Sequence, residues 1–194
     1  MASISRVFVW IAGVAIGVQA LAFAALHILE PQLGWKSSLI TDYAGTEHAL
    51  VARLSLAAFG ITWIAVSIVL RDMLPPGVVT TVVFLLVLLA GLGLVYSATL
   101  DARAMDPRLA EGPAAARRIL GLLRLALFVS LIVASIQLRS AGLVLLSAAT
   151  LLLLIVTLAV FLGRGLAGLP QRIVFVMTYA WVLTVLWRAQ SGAS

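Results

Sequence analysis

Twelve side chains able to do chemistry fall in a few short stretches of the chain: His27, Glu30, Asp42, Glu47, His48, Arg53, Asp101, Arg117, Arg118, Arg124, Gln171 and Arg172. Brought to one face, Arg53 and Arg124 could receive an anionic headgroup or carboxylate while Asp42 and Asp101 orient them, with Gln171 and Arg172 beside them. The competing reading of the same residues is an interfacial salt-bridge cap in which arginines snorkel and nothing is bound. His27 and His48 could ligate a haem through two imidazoles, but a loop separates them and interfacial hydrogen bonding is the more ordinary role. Asp42 with Glu47 resembles a carboxylate dyad, yet it has no accompanying nucleophile or metal partner. The sequence contains no H-E-x-x-H, phosphate-cradling glycine loop or serine elbow, so no catalytic residue and no metal site are assigned.

The elements that must position these residues follow from composition. Of 194 residues, 63% are hydrophobic and 10% charged, and the mean hydropathy is +1.19. A soluble domain carries roughly a quarter charged residues, so the chain belongs in a bilayer. With no cysteine there is no disulfide framework, iron–sulfur cluster or thiolate zinc site. The net charge of +6 arises from basic residues scattered singly at the ends of apolar runs, which argues against nucleic acid as a partner. A hydrocarbon core needs about 20 apolar helical residues. Six runs meet that need: Val7 to Leu29, Leu50 to Leu70, Val78 to Leu100, Ile119 to Leu138, Gly142 to Leu162 and Ile173 to Trp187. The expected fold is therefore all-α, a polytopic six-transmembrane-helix bundle forming one domain over 1–194. The apolar run beginning at Val7 exceeds a signal-peptide core, so it is expected to persist as a span.

Six spans place both termini on one side with the short turns at Arg71 and Arg139. The loops after spans 1, 3 and 5 then share the other side, which is what gathers the polar residues named above. Arg124 sits roughly 8 Å below the start of its helix at 1.5 Å per residue. Pro75-Pro76-Gly77 and the run from Gly163 to Pro170 are read as breaks between helices. Leu39, Ile40 and Tyr43 give the first loop an amphipathic, interfacial character. Gly13-x-x-x-Gly17 and Gly93-x-x-x-Ser97 offer small faces for packing within the bundle. The amide of Gln19, near the middle of the first span, requires a partner, with Thr150 or Ser130 as candidates.

Several stretches together resemble the bacterial membrane family catalogued as domain of unknown function 998. They are Ile40-Thr41-Asp42-Tyr43-Ala44, Leu70-Arg71 with Leu74-Pro75-Pro76, Asp101 after the third span, and Gly168-Leu169-Pro170-Gln171-Arg172 followed by Trp181. The likeness runs from about Asp42 to Arg188. It implies a helix bundle distantly similar to DRAM-like proteins, with Asp42, Asp101, Gln171 and Arg172 as polar-face candidates and no established reaction. Where the family pattern has Phe-Pro-x-Asp after the third span, this chain reads Ala98-Thr99-Leu100-Asp101. A family histidine before the fourth span is replaced by Arg117-Arg118.

In the loops and at the chain ends, leaving out Arg53 and Arg124 inside the helices, lysine and arginine number four on the terminal side (Arg6, Arg71, Arg139, Arg188) and seven opposite (Lys36, Arg103, Arg108, Arg117, Arg118, Arg164, Arg172). That count favours the larger loops inside, whereas Arg6 at the start of the first helix and Glu30 at its end favour the reverse. With the resemblance, the expectation is the bacterial inner membrane with both termini cytoplasmic. The expected role is non-enzymatic, an accessory or scaffold subunit with a membrane-protein partner in contact with lipids. The alternative is lipid or small-anion handling, by a transporter or membrane enzyme, at the polar face.

Overall fold

The computed structural model describes residues 3–34, 36, 38, 43, 46–103, 114–157 and 168–191. Among these residues six α-helices follow one another: α1 (Ser3–Leu29), α2 (Ala49–Met73), α3 (Val78–Arg103), α4 (Ala114–Gln137), α5 (Ala141–Val156) and α6 (Gly168–Ser191). Four segments are long and apolar enough to cross a membrane: Ser5–Leu29, Ala49–Met73, Val78–Thr99 and Gly168–Ser191. Leu125–Gln137 and Ala141–Val156 are shorter apolar helices. Large apolar side chains face outward on these helices, with Val78 81%, Ile28 80% and Leu50 75% exposed. Such a surface is stable only against hydrocarbon. The chain is a membrane protein whose described elements are all helices.

The turns obey local chemistry. Leu74 is extended (φ −86°, ψ 150°) because it precedes Pro75, and its N–H still reaches Leu70 at 2.9 Å. Thr80 then donates its hydroxyl to the Pro75 carbonyl at 2.5 Å, covering a carbonyl that the proline turn leaves free. Between α4 and α5, Arg139 adopts a left-handed φ of 51°, while the Ser140 N–H bonds back to Ser135 at 3.2 Å. The sixth helix begins earlier than the expected Ile173. Gly168 and Pro170 lie inside α6 rather than in a preceding break, because proline in a first turn gives up an N–H that has no helical partner anyway.

Helix α2 is the hub. Its span is 67% buried against 33% for α1, and it packs on α1, α3 and α6, while α3–α4, α4–α5 and α5–α6 follow as sequential neighbours. The α2–α3 contact closes on glycine. A Cβ on Gly60 would lie 2.6 Å from the Gly91 carbonyl oxygen, and one on Gly91 would lie 2.8 Å from that of Gly60. The expected Gly13 and Gly17 face does not work this way, since a Cβ on either meets nothing within 4 Å. Ser97 is buried, with its hydroxyl donating to the Gly93 carbonyl at 2.8 Å along its own helix.

Aromatic rings make a column through the interior. Phe23 of α1 touches Phe175 of α6 (centroids 5.7 Å), Phe175 touches Phe59 of α2 (5.3 Å), Phe59 touches Trp63 (5.8 Å) and Trp63 approaches Trp181 (6.3 Å). Offset and edge contacts at these separations are the favourable ones for aromatic quadrupoles. At the inner end the Trp181 indole N–H donates to Ser135 of α4 at 2.9 Å, and Ser147 of α5 lies 3.5 Å from the same hydroxyl. The partners expected for Gln19 are engaged elsewhere: Ser130 donates to Ala126 and Thr150 to Leu146, each within its own helix.

Candidate functional site: a polar clasp over the first loop

The end of α1, the start of α2 and the start of α6 meet at one end of the bundle, and their polar side chains fasten the first loop there. Arg172, in the first turns of α6, donates Nε–H and an Nη2–H to His27 Nε2 at 3.0 and 2.8 Å. It also donates through Nη1 to the Ser38 carbonyl at 3.1 Å and through Nη2 to the Tyr43 hydroxyl at 3.4 Å. Its guanidinium lies 5.4 Å from the centre of the Phe23 ring, a cation–π arrangement at the top of the aromatic column. The Leu169 N–H, free at the α6 N-terminus, finds the Lys36 carbonyl at 3.1 Å. The loop backbone comes so close that a Cβ on Gly168 would sit 2.7 Å from the Ser38 oxygen, so glycine is required there.

Glu30 forms the second half of the clasp. It is only 2% exposed although it directly follows α1. A buried carboxylate needs donors, and here the His48 ring Nδ1 stands 2.8 Å and the His48 backbone N–H 3.4 Å away. The Gln32 amide donates to the other oxygen. The carboxyl is held below its ordinary 4.5, first by Thr46 and then by His48, against the opposing effect of burial. His48 caps α2 without a side-chain bond to its own helix, so Glu30 places its negative charge at that positive helix end from eighteen residues upstream. Tyr43 is fully buried between the two halves, packing with Leu26 and Ala52, and its ring is 5.8 Å from that of His27.

Of the residues expected at this face, Arg172 is central. Gln171 is its half-buried neighbour, and Arg53 is half-buried near the start of α2. Asp42 lies outside the described residues. Asp101 is in the last turn of α3 and Arg124 in α4, but their side chains lie outside the described residues, so no contact is assigned to either. His27 and His48 have separate roles, since the first accepts from Arg172 and the second bonds Glu30. Among the described residues no three His, Asp or Glu side chains are grouped to hold a metal ion. Tyr43 and the Ser38 carbonyl were not singled out from the sequence as site residues. The usable signal for Tyr43 was a large aromatic amid a polar loop, and for Glu30 a lone acid closing an apolar helix.

At the opposite end the Ser5 hydroxyl donates to the Asp72 carboxylate, and Arg71 lies 5.1 Å from the centre of the Phe84 ring. An apolar groove of about 580 Å³ runs along the outer side of α1 and α2, lined by residues such as Trp10, Val14, Leu54 and Ile61.

The arrangement can hold a loop and places the Arg172 cation against it; no nucleophile with an activating base is formed among the described residues. Comparison with known proteins adds a family and nothing more specific. No curated protein and no solved structure matches the chain. The family model "Protein of unknown function (DUF998)" matches residues 13–188, nearly the whole chain. The chain belongs to the DUF998 family.

Proposed function

We propose that this is a six-span protein of the bacterial cytoplasmic membrane that performs no catalysis of its own and serves as an accessory or scaffold subunit of a larger membrane complex. The observation that carries the reading is the clasp: Arg172 bonds His27, Tyr43 and the Ser38 carbonyl of the loop, and Glu30 at the other side of the loop bonds His48. A face built this way fixes the shape of a loop, which suits a docking element. A crossing by α4 is supported by its 24 residues, which extend about 36 Å against a hydrocarbon core of about 30 Å, whereas the 16 described residues of α5 extend about 24 Å. A bacterial source with a GC-rich genome fits the single Lys36 among 13 basic residues. Both termini are placed in the cytoplasm, which a reporter fused at Ser194 checks.

Gentle purification from native membranes, with mass spectrometry of retained proteins and lipids, tests the role. A protein partner at fixed ratio supports it. A chain that elutes alone and partnerless overturns it.

One observation favours a second reading, in which the same face handles an anionic lipid headgroup or small anion. Among the described residues Arg172 donates only to neutral acceptors, and none of their carboxylates lies within ion-pair distance of it. An anion could replace the Ser38 carbonyl at that guanidinium. Retention of one anionic lipid by the wild-type chain and its loss in Arg172→Gln would move the weight to this reading.

A further inference from the structure

Below the clasp, three helices bring unpartnered polar atoms to one level of the bundle. Gln19 of α1, Trp63 of α2 and Thr178 of α6 are at most 1% exposed, and Gln19 Oε1, Trp63 Nε1 and Thr178 Oγ1 have no hydrogen-bond partner. Their level follows from the aromatic contacts. Phe23, Phe59 and Phe175 touch across α1, α2 and α6. Gln19 is four residues from Phe23, Trp63 four from Phe59 and Thr178 three from Phe175, so each shares a helix face with its phenylalanine. Given the helix directions, all three lie one turn further from the clasp than the phenylalanine layer. Thr178 is about 9 Å along α6 from Arg172.

The chemistry of the three is complementary. Trp63 Nε1 only donates, Gln19 Oε1 only accepts, and a threonine hydroxyl does both. A buried polar atom within a bilayer has no bulk solvent to fall back on, and two to four converging polar partners are what an internal water needs. Trp181 shows what a satisfied indole looks like in the same interior: it is equally buried at 1% and donates to Ser135 at 2.9 Å.

We infer that Gln19, Trp63 and Thr178 form an internal binding site for water, beneath the phenylalanine layer and between α1, α2 and α6. This goes beyond the scaffold reading, which requires no hydrated site inside the membrane. It also assigns Gln19 a partner other than the serine and threonine of α4 and α5.

The test uses the full chain, labelled with 15N on its tryptophan indoles, in lipid nanodiscs. Magnetisation transfer from water to each indole N–H is measured, and the Trp63 and Trp181 signals are assigned by their loss in Trp63→Phe and Trp181→Phe. The expected result is direct transfer from water to the Trp63 indole and none to that of Trp181, two sites that differ in partner and not in burial. In Gln19→Leu/Thr178→Val the Trp63 transfer should fall at least several-fold. A Trp63 indole as silent as Trp181 in the wild-type chain overturns the proposal, and that comparison holds even if the double variant fails to fold.

Discussion

Arg172 donates two N–H groups into one ring nitrogen of His27, at 3.0 and 2.8 Å, across 145 residues of chain. This fixes the state of the imidazole. His27 Nε2 must carry a lone pair to accept, so the ring is neutral with its proton on Nδ1, which donates to the Phe23 carbonyl at 2.7 Å. The lone pair that a haem iron would use is therefore directed at the guanidinium, and ligation through His27 would require Arg172 to leave.

Arg172→Gln should open the first loop without unfolding the bundle. Hydrogen bonds to a charged group contribute about 1.5–3 kcal/mol, and a loss of about 2 kcal/mol multiplies the open population roughly thirty-fold. The natural chain has no cysteine, so the labelling rate of a cysteine introduced as Lys36→Cys reports loop opening. An unchanged rate in Arg172→Gln would show that the guanidinium does not hold the loop.

Acid should release the same loop through Glu30. Its folded value lies below the unfolded 4.5, so its contribution is fully present above about pH 4.5 and is lost as pH falls through the lower folded value. The labelling rate at position 36, taken relative to that of a free cysteine peptide at the same pH so that the loss of thiolate cancels, should rise in that window, below pH 4.5. In Glu30→Gln the rate should be high throughout and nearly flat across the same range, and a retained acid transition there would assign the release to another group.

How far the sequence foretold this molecule differs by element. The helix positions were legible because a bilayer demands about 20 apolar residues and proline and glycine mark the turns; α1 and α2 begin and end within four residues of their expected limits. The start of α6 was less legible because Pro170 looks like a terminator but is tolerated in a first turn. Glycine spacing misled in a different way. Gly13 and Gly17 have the i, i+4 pattern yet face open space, whereas Gly60 and Gly91, with no such motif, sit where the backbones of α2 and α3 leave no room for a Cβ. Spacing along one helix does not tell which face meets a neighbour. At the site, parity brought His27, Glu30, His48 and Arg172 to one end, but pairing across 18 and 145 residues depends on how the loop folds back.

Ser135 should be energetically coupled to Trp181. Ser135→Ala leaves a buried indole N–H without its acceptor, which costs about 1–3 kcal/mol. Trp181→Phe removes the donor and adds a packing loss, and the double variant should be more stable than the sum of the two by at least about 0.5 kcal/mol. Unfolding equilibria in mixed detergent micelles supply the four stabilities, and simple additivity would mean the bond contributes nothing.

The two glycine pairs should respond in opposite ways to the same methyl group. Gly60→Ala drives a Cβ to 2.6 Å from a backbone carbonyl, and Gly91→Ala does the same at 2.8 Å. Neither obstacle is a flexible side chain, so α2 and α3 must separate, and overpacking of this kind costs about 1–3 kcal/mol. Because α2 is the hub that also packs on α1 and α6, the displacement should reach the clasp and speed labelling at position 36. Gly13→Ala and Gly17→Ala meet nothing within 4 Å, and alanine is the better helix former by about 1 kcal/mol, so both should be neutral or slightly stabilising. Destabilisation by Gly13→Ala or Gly17→Ala, seen only in native membranes and not in purified protein, would instead place a partner helix against that face.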